Sequence, residues 1–190
     1  MYWQVYLHKT VLSAEFLLAK IIERARELIN NGEKLLVLPS VKYFFENTIY
    51  KENISEYDFL TAFSKLDDYD VLYSVKVWAD SNDQVISKLS QMLINRKLLK
   101  VKISHHKFTN DEIEEMKQYH QKKLGFSNLE MNYFVFQNQM TNNAYDPRKD
   151  EIKILFNNGT LKDITLASDN LNISALSKPV KKYYLFAPNF

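Results

Sequence analysis

The stretch Tyr2–Asn31 constrains the rest of the chain. Leu7, Val11, Ala14, Leu18, Ile21, Ala25 and Leu28 recur at spacings of four and three, which predicts one apolar stripe on a single long helix. Asn31-Gly32 ends that helix, because glycine takes the left-handed cap conformation at little cost. The start is different. Met1-Tyr2-Trp3-Gln4 offers no Ser, Thr, Asp or Asn cap, and Tyr2, Trp3, Val5 and Tyr6 make the first turn apolar nearly all round. Such a turn suits a buried helix, so the expectation is that further sequence precedes it.

The next sixty-five or so residues read as more helix. Leu35–Pro39 is a short apolar run that proline stops, and Val41–Tyr50 is a second short element of open type. Ser55 is the expected cap of a helix from Glu56 to about Leu66, with Asp58 in its first turn. A following helix over Asp68–Ala79 carries Val71, Leu72, Val75 and Trp78 on one face. Ser81 or Asn82 caps another that runs through Arg96, with Val85, Leu89 and Met92 inward.

The pattern changes at Leu98. Leu99, Val101 and Ile103 alternate with Lys100, Lys102 and Ser104, the period of a half-buried strand. Thr109 and Glu112 form a capping box that opens a polar helix, and Gly125 closes it. Alternation returns over Met131–Gln137, with Tyr133 and Val135 opposite Phe134 and Phe136. Ile152–Phe156 and Leu161–Thr165 flank Asn157-Asn158-Gly159-Thr160, a hairpin signal. A short helical turn is expected near Ser168–Leu176, and Lys182–Phe186 forms the last strand. The predicted class is α+β: a helical part over 1–97, then an α+β subdomain over 98–190 with a small mixed or antiparallel sheet and a helix on one face. No internal repeat or Gly/Ser linker separates them, so close packing is expected.

Composition excludes several functions. With 25 basic and 23 acidic side chains, the net charge of +2 gives no strong whole-molecule attraction for nucleic acid or anionic membrane. No cysteine is present, so disulfides and thiolate metal sites are excluded, consistent with a cytoplasmic protein. No apolar run approaches the length of a membrane span. His8, His105, His106 and His120 form neither a His-Asp pair nor His-Glu-x-x-His, and adjacent strand residues such as His105 and His106 point to opposite faces. Neither a Gly-x-Ser-x-Gly nucleophile nor a glycine-rich phosphate loop occurs.

Two basic clusters remain. Arg96, Lys97, Lys100 and Lys102 run from a helix end into a strand, where Lys100 and Lys102 share a face and could straddle a triphosphate beside the forked guanidinium. Edge lysines that merely block aggregation are the competing explanation. His8-Lys9 follows Tyr6 on the opening helix, and an aromatic ring followed closely by His and Lys could stack on a base and neutralise a phosphate. A core Tyr6 with a solvated Lys9 is the alternative.

Tyr6-Leu7-His8-Lys9 before a long helix resembles the Tyr-x-His-Lys segment of HD-superfamily deoxynucleoside triphosphate triphosphohydrolases, the dNTPase or dGTPase type. Lys65-Leu66-Asp67-Asp68, Asn95-Arg96-Lys97-Leu98-Leu99-Lys100 and the closing Lys181-Lys182-Tyr183-Tyr184-Leu185 resemble that family's later segments in the same order. Two departures stand out: Trp3 and Gln4 replace basic residues, and Leu99 replaces a phenylalanine. The resemblance implies the C-terminal half of such an enzyme, converting dNTP to deoxynucleoside and tripolyphosphate. Its divalent metal would be held by His, His-Asp and Asp residues of an N-terminal HD domain, with no metal ligand and no catalytic residue in this chain. Tyr6 would line the substrate pocket beside the deoxyribose. His8, Lys9, Arg96 and Lys100 would face a regulatory nucleotide between subunits of a homo-oligomer. The chain alone should be inactive. Two rivals from other classes are a single-strand nucleic-acid module using Tyr133, Phe134 and Phe136 as a stacking platform, and a purely structural assembly module pairing through its opening helix.

Overall fold

A computed structural model of the chain describes residues 5, 7–50, 52, 54, 56–142, 152–167 and 180–189. The described chain is α+β. Its opening helix, α1 (Lys9–Asn30), starts at Lys9 with a side-chain cap: His8 is extended and its Nδ1 accepts the Thr10 N–H at 3.3 Å. This corrects the uncapped start expected near Tyr2. At the other end Gly32, at φ 79°, lets Glu33 N–H reach the Leu28 carbonyl at 2.9 Å, the glycine stop that was predicted. The buried stripe is Leu12, Ser13, Leu17, Ile21, Ala25 and Leu28. Its second half matches the periodicity, but its first half is rotated, leaving Val11 49% exposed.

Pro39 begins a helix instead of ending a run. It occupies the first turn of α2 (Pro39–Glu46), where its missing N–H costs nothing. Helix α3 (Tyr57–Lys65) follows, with Glu56 at its cap position and no side-chain cap bond; Ser55 lies outside the described residues. Helix α4 (Asp68–Trp78) opens on a capping box made by Asp67 and Asp70. It buries Val75 and Trp78 as expected, but leaves Leu72 half exposed. The cap of α5 (Gln84–Ile94) is Asp83, whose carboxylate accepts the Ile86 N–H at 2.8 Å, so neither Ser81 nor Asn82 serves.

Strand β1 (Lys100–Ser104) leads through the predicted Thr109–Glu112 box into α6 (Asn110–Leu124), closed by Gly125 at φ 76°. Strand β2 (Phe136–Asn142) begins later than the alternation predicts. Residues Glu130–Tyr133 are a 3₁₀ turn, held by Ser127 and Glu130, which cap each other reciprocally. Met131, Phe134 and Val135 are all buried there, a helical spacing that short alternation mimics. The hairpin β3 (Lys153–Leu155) and β4 (Leu161–Asp163) turns at Gly159, φ 77°, as expected. Helix α7 (Ile164–Ala167) comes next, and the turn expected over Ser168–Leu176 lies outside the described residues. Strand β5 (Val180–Ala187) is central in an antiparallel sheet of order β1-β5-β2, with Lys100 opposite Ala187 and Phe136 opposite Phe186.

That register sorts the sheet into two faces. Phe136 and Phe186 stack at 4.9 Å and meet Phe16 of α1, so one face packs on the long helix. Lys100, Lys102, Leu185 and Ala187 belong to the other face, beside α6. One apolar core runs from Leu12 and Trp78 to Phe186, so the helical and sheet parts share an interior. Among the described residues no helix is long and apolar enough to cross a membrane.

Candidate functional site

Between β1, α6 and the end of β5 lies a cleft of about 540 Å³, lined by Lys100, Lys102, Met116, Tyr119, His120 and Leu185 among others. The two lysines are there because a strand repeats every second residue, and the Leu185 and Ala187 side chains opposite give the cleft an apolar floor. They are not equivalent. Lys102 sits 5.5 Å from the centre of the Phe108 ring and is drawn toward the Glu112 carboxylate, which it helps hold below its ordinary range. The larger cause of that depression is the Thr109 backbone N–H. Lys100 is exposed and belongs to no ion pair among the described residues, so it is the cation that the strand offers to a ligand. His120, on the α6 side, is buried, and desolvation and then the Lys123 charge push its imidazole below the usual value.

Arg96 stands four residues before Lys100 in an unusual backbone state. It ends α5 at φ 55°, the one left-handed non-glycine residue among those described. Its N–H reaches the Leu93 carbonyl at 3.1 Å and the Lys97 N–H reaches Met92 at 2.9 Å, the terminus that glycine normally closes. The guanidinium is exposed there.

The opening helix is tied to this region by one buried bond. Ser13 Oγ donates to the Leu99 carbonyl at 2.8 Å. Lys9 lies one turn before Ser13 on α1 and Lys100 is the residue after Leu99, but the Lys100 side chain belongs to the sheet face beside α6, opposite the face that packs on α1. His8 and Lys9 are exposed. Because the His8 Nδ1 accepts the Thr10 N–H, a neutral His8 presents Nε2–H outward as a donor. Tyr6 lies outside the described residues.

This architecture is shared. A crystal structure of a phosphohydrolase from Bacteroides thetaiotaomicron VPI-5482 aligns with all of this chain and 47% of its own, at a TM-score of 0.87 and 43% identity. The chain is similar to part of that phosphohydrolase. YwfO, an uncharacterized protein of Bacillus subtilis (strain 168), is 29% identical over 177 residues, which are 88% of this chain and 38% of that protein. The chain thus spans less than half the length of either. No protein-family model matches it.

A second polar cluster escaped the sequence reading. Arg24 grips Asp83 through two bonds, Nη2–Oδ2 at 2.6 Å and Nε–Oδ1 at 3.2 Å, and donates to Glu27 at 2.8 Å. Glu27 also accepts the Tyr133 hydroxyl. Burial alone would raise the Asp83 carboxyl, but the Arg24 guanidinium and the Ile86 N–H hold it below its ordinary range. The Tyr133 bond, then Arg24, lower Glu27. Burial, then Glu27, push the Tyr133 phenol up to about 12. This chain of bonds locks α1, α5 and the 3₁₀ turn together, so it positions the elements. Its only sequence signals were an arginine beside the buried stripe and a third cap-competent residue after Asn82.

The aromatic platform considered for nucleic acid does not form. Phe134 is fully buried and stacks on Phe126 at 5.0 Å, Phe136 packs on Phe186, and Tyr133 is held by Glu27.

Proposed function

We propose that this chain is the C-terminal region of an HD-type dNTP triphosphohydrolase of the cytoplasm. It supplies a wall of the substrate pocket through Tyr6, contacts to a regulatory nucleotide through His8, Lys9, Arg96 and Lys100, and surface for homo-oligomer assembly. The observation that carries this reading is the 43% identity, over the whole chain, to part of a phosphohydrolase of known structure. The exposure of Arg96 and Lys100, four residues apart where α5 runs into β1, supports it. A guanidinium fork and two ammonium groups suit the oxygens of a triphosphate, the first by paired hydrogen bonds and the others as point charges. Lys102, engaged by Phe108 and Glu112, is left out of that set.

The divalent metal of such an enzyme is proposed to be held by its HD domain. Among the described residues no three His, Asp or Glu side chains stand close enough to hold an ion. The role proposed for this chain is binding.

The test is the melting temperature of the purified chain with each dNTP and with the matching deoxynucleoside. Binding to the folded state raises stability by roughly 2.7 kcal/mol at a hundredfold excess over Kd. The expected result is a rise with at least one dNTP, none with the deoxynucleoside, and loss of the rise in Lys100→Ala. An unchanged melting temperature with every dNTP, or an undiminished rise in Lys100→Ala, would overturn the effector-site assignment.

A further inference from the structure

Helix α6 covers the sheet incompletely. Met116, Tyr119 and His120 stand three and four residues apart, so they share the face turned to β1 and β5, yet His120 is the one buried residue of the helix. The reason lies in the strand beneath. Lys102 is paired with Leu185 and Lys100 with Ala187, so the last sheet position under the helix offers a methyl group where a larger side chain would fill the gap. The cleft of about 540 Å³ is the space that results, and it falls within the size range of small-molecule sites.

Its lining is chemically one-sided. Leu185 and Ala187 are buried and form an apolar floor with Met116. Tyr119, 55% exposed, makes a side wall; its ring stands edge-on to the His120 ring at 4.9 Å, with the Lys123 ammonium 4.7 Å from its centre. Lys100 and Lys102 lay their hydrocarbon stems along the rim and keep their ammonium groups in water. No carboxylate joins them on the lining among the described residues. The neighbouring Glu112 accepts the Thr109 N–H at 2.8 Å and engages Lys102. Lys100 is therefore the cation left to a ligand, because it is exposed and outside every ion pair among the described residues. An apolar floor, an aromatic wall and one uncommitted positive charge are the complement of an apolar molecule that carries a single negative charge.

We propose that the cleft between β1, α6 and the end of β5 binds a small apolar monocarboxylate. Its hydrocarbon body lies on Leu185 and Ala187 against Tyr119, and its carboxylate is held by Lys100. The proposal stands whether or not the chain binds nucleotide, since it rests on the floor and wall of the cleft as well as on the lysine.

Titrating the nitrogen-15-labelled chain with 4-phenylbutyrate, with no nucleotide present, tests it through the amide resonances. A ligand of about twelve non-hydrogen atoms in an open cleft should bind with a Kd of roughly 0.1–1 mM. The shifts should centre on β1, the Met116–His120 turn and the end of β5. 4-Phenylbutylamine, the same body with the opposite charge, should bind at least about tenfold more weakly. Lys100→Glu should reverse that preference, and its exposed position keeps the variant folded. Tyr119→Ala, also exposed, should weaken the carboxylate severalfold by removing the wall. No saturable shift up to roughly 10 mM overturns the proposal. So do shifts centred elsewhere, an amine that binds as well as the acid, or a Kd indifferent to Lys100→Glu or to Tyr119→Ala. None of these outcomes depends on the dNTP result.

Discussion

Arg96 occupies a backbone state that glycine would hold without strain, and replacing it separates strain from ligand binding. At φ 55° its Cβ crowds the carbonyl, which for an L-residue costs roughly 1–2 kcal/mol. Glycine removes that cost but loses about 0.5–1 kcal/mol more backbone entropy on folding. The side chain is exposed and belongs to no ion pair among the described residues, so little else changes. Arg96→Gly should therefore stabilise the chain by about 0.5–1 kcal/mol, or a rise of about 2 °C in Tm for a domain of this size. Arg96→Ala keeps the Cβ and the strain, so its stability should match the wild type. Both variants lack the guanidinium, so both should lose most of the dNTP-dependent shift. Urea denaturation gives the first pair of numbers and thermal melts with dNTP the second. If Arg96→Gly is less stable than wild type, or equal to Arg96→Ala, the strain argument fails. If both variants keep the full dNTP shift, Arg96 holds no phosphate and its conformation is only a helix stop.

Asp83→Asn should cost about 2–3 kcal/mol at pH 7, because it removes the partner of the largely buried Arg24. The Asp83 carboxyl is depressed in the folded state, so its stabilisation is complete above its ordinary value near 3.9 and is lost as pH falls through the lower folded value. Urea midpoints should thus converge between wild type and Asp83→Asn below about pH 4 and diverge above it; equal gaps at pH 3 and pH 7 would refute the ion-pair account. Ser13→Ala leaves the Leu99 carbonyl buried without its donor, an expected loss of about 1–3 kcal/mol measured by chemical denaturation. Gly125→Ala should cost about 1 kcal/mol through backbone conformation alone, since an added Cβ would meet nothing within 4 Å; a cost several times larger would mean the α6 terminus is packed more tightly than described.

What the sequence by itself determined was local. The Gly32 and Gly125 stops, the Thr109–Glu112 box and the Asn157–Thr160 turn all close through hydrogen bonds spanning a few residues, so neighbouring side chains dictate them. The alternation of Lys100 and Lys102 was legible for the same reason, and so was the α+β class. Only the tertiary structure decided which way each element faces. The first half of α1 rotates to bury Leu12 and Ser13, because Ser13 must reach Leu99, 86 residues away. Asp83 wins the α5 cap over Ser81 and Asn82 because Arg24, 59 residues earlier, can grip it there. The Met131–Tyr133 turn alternates like a strand, yet a Ser127–Glu130 box and the burial of Met131, Phe134 and Val135 curl it. Leu72 fits the inward stripe of α4 by periodicity, and only the packing of Val75 and Trp78 against the core turns it outward. Hydrophobic period measures how apolar residues repeat along an element, but the direction of the face is set by the distant partners it buries against.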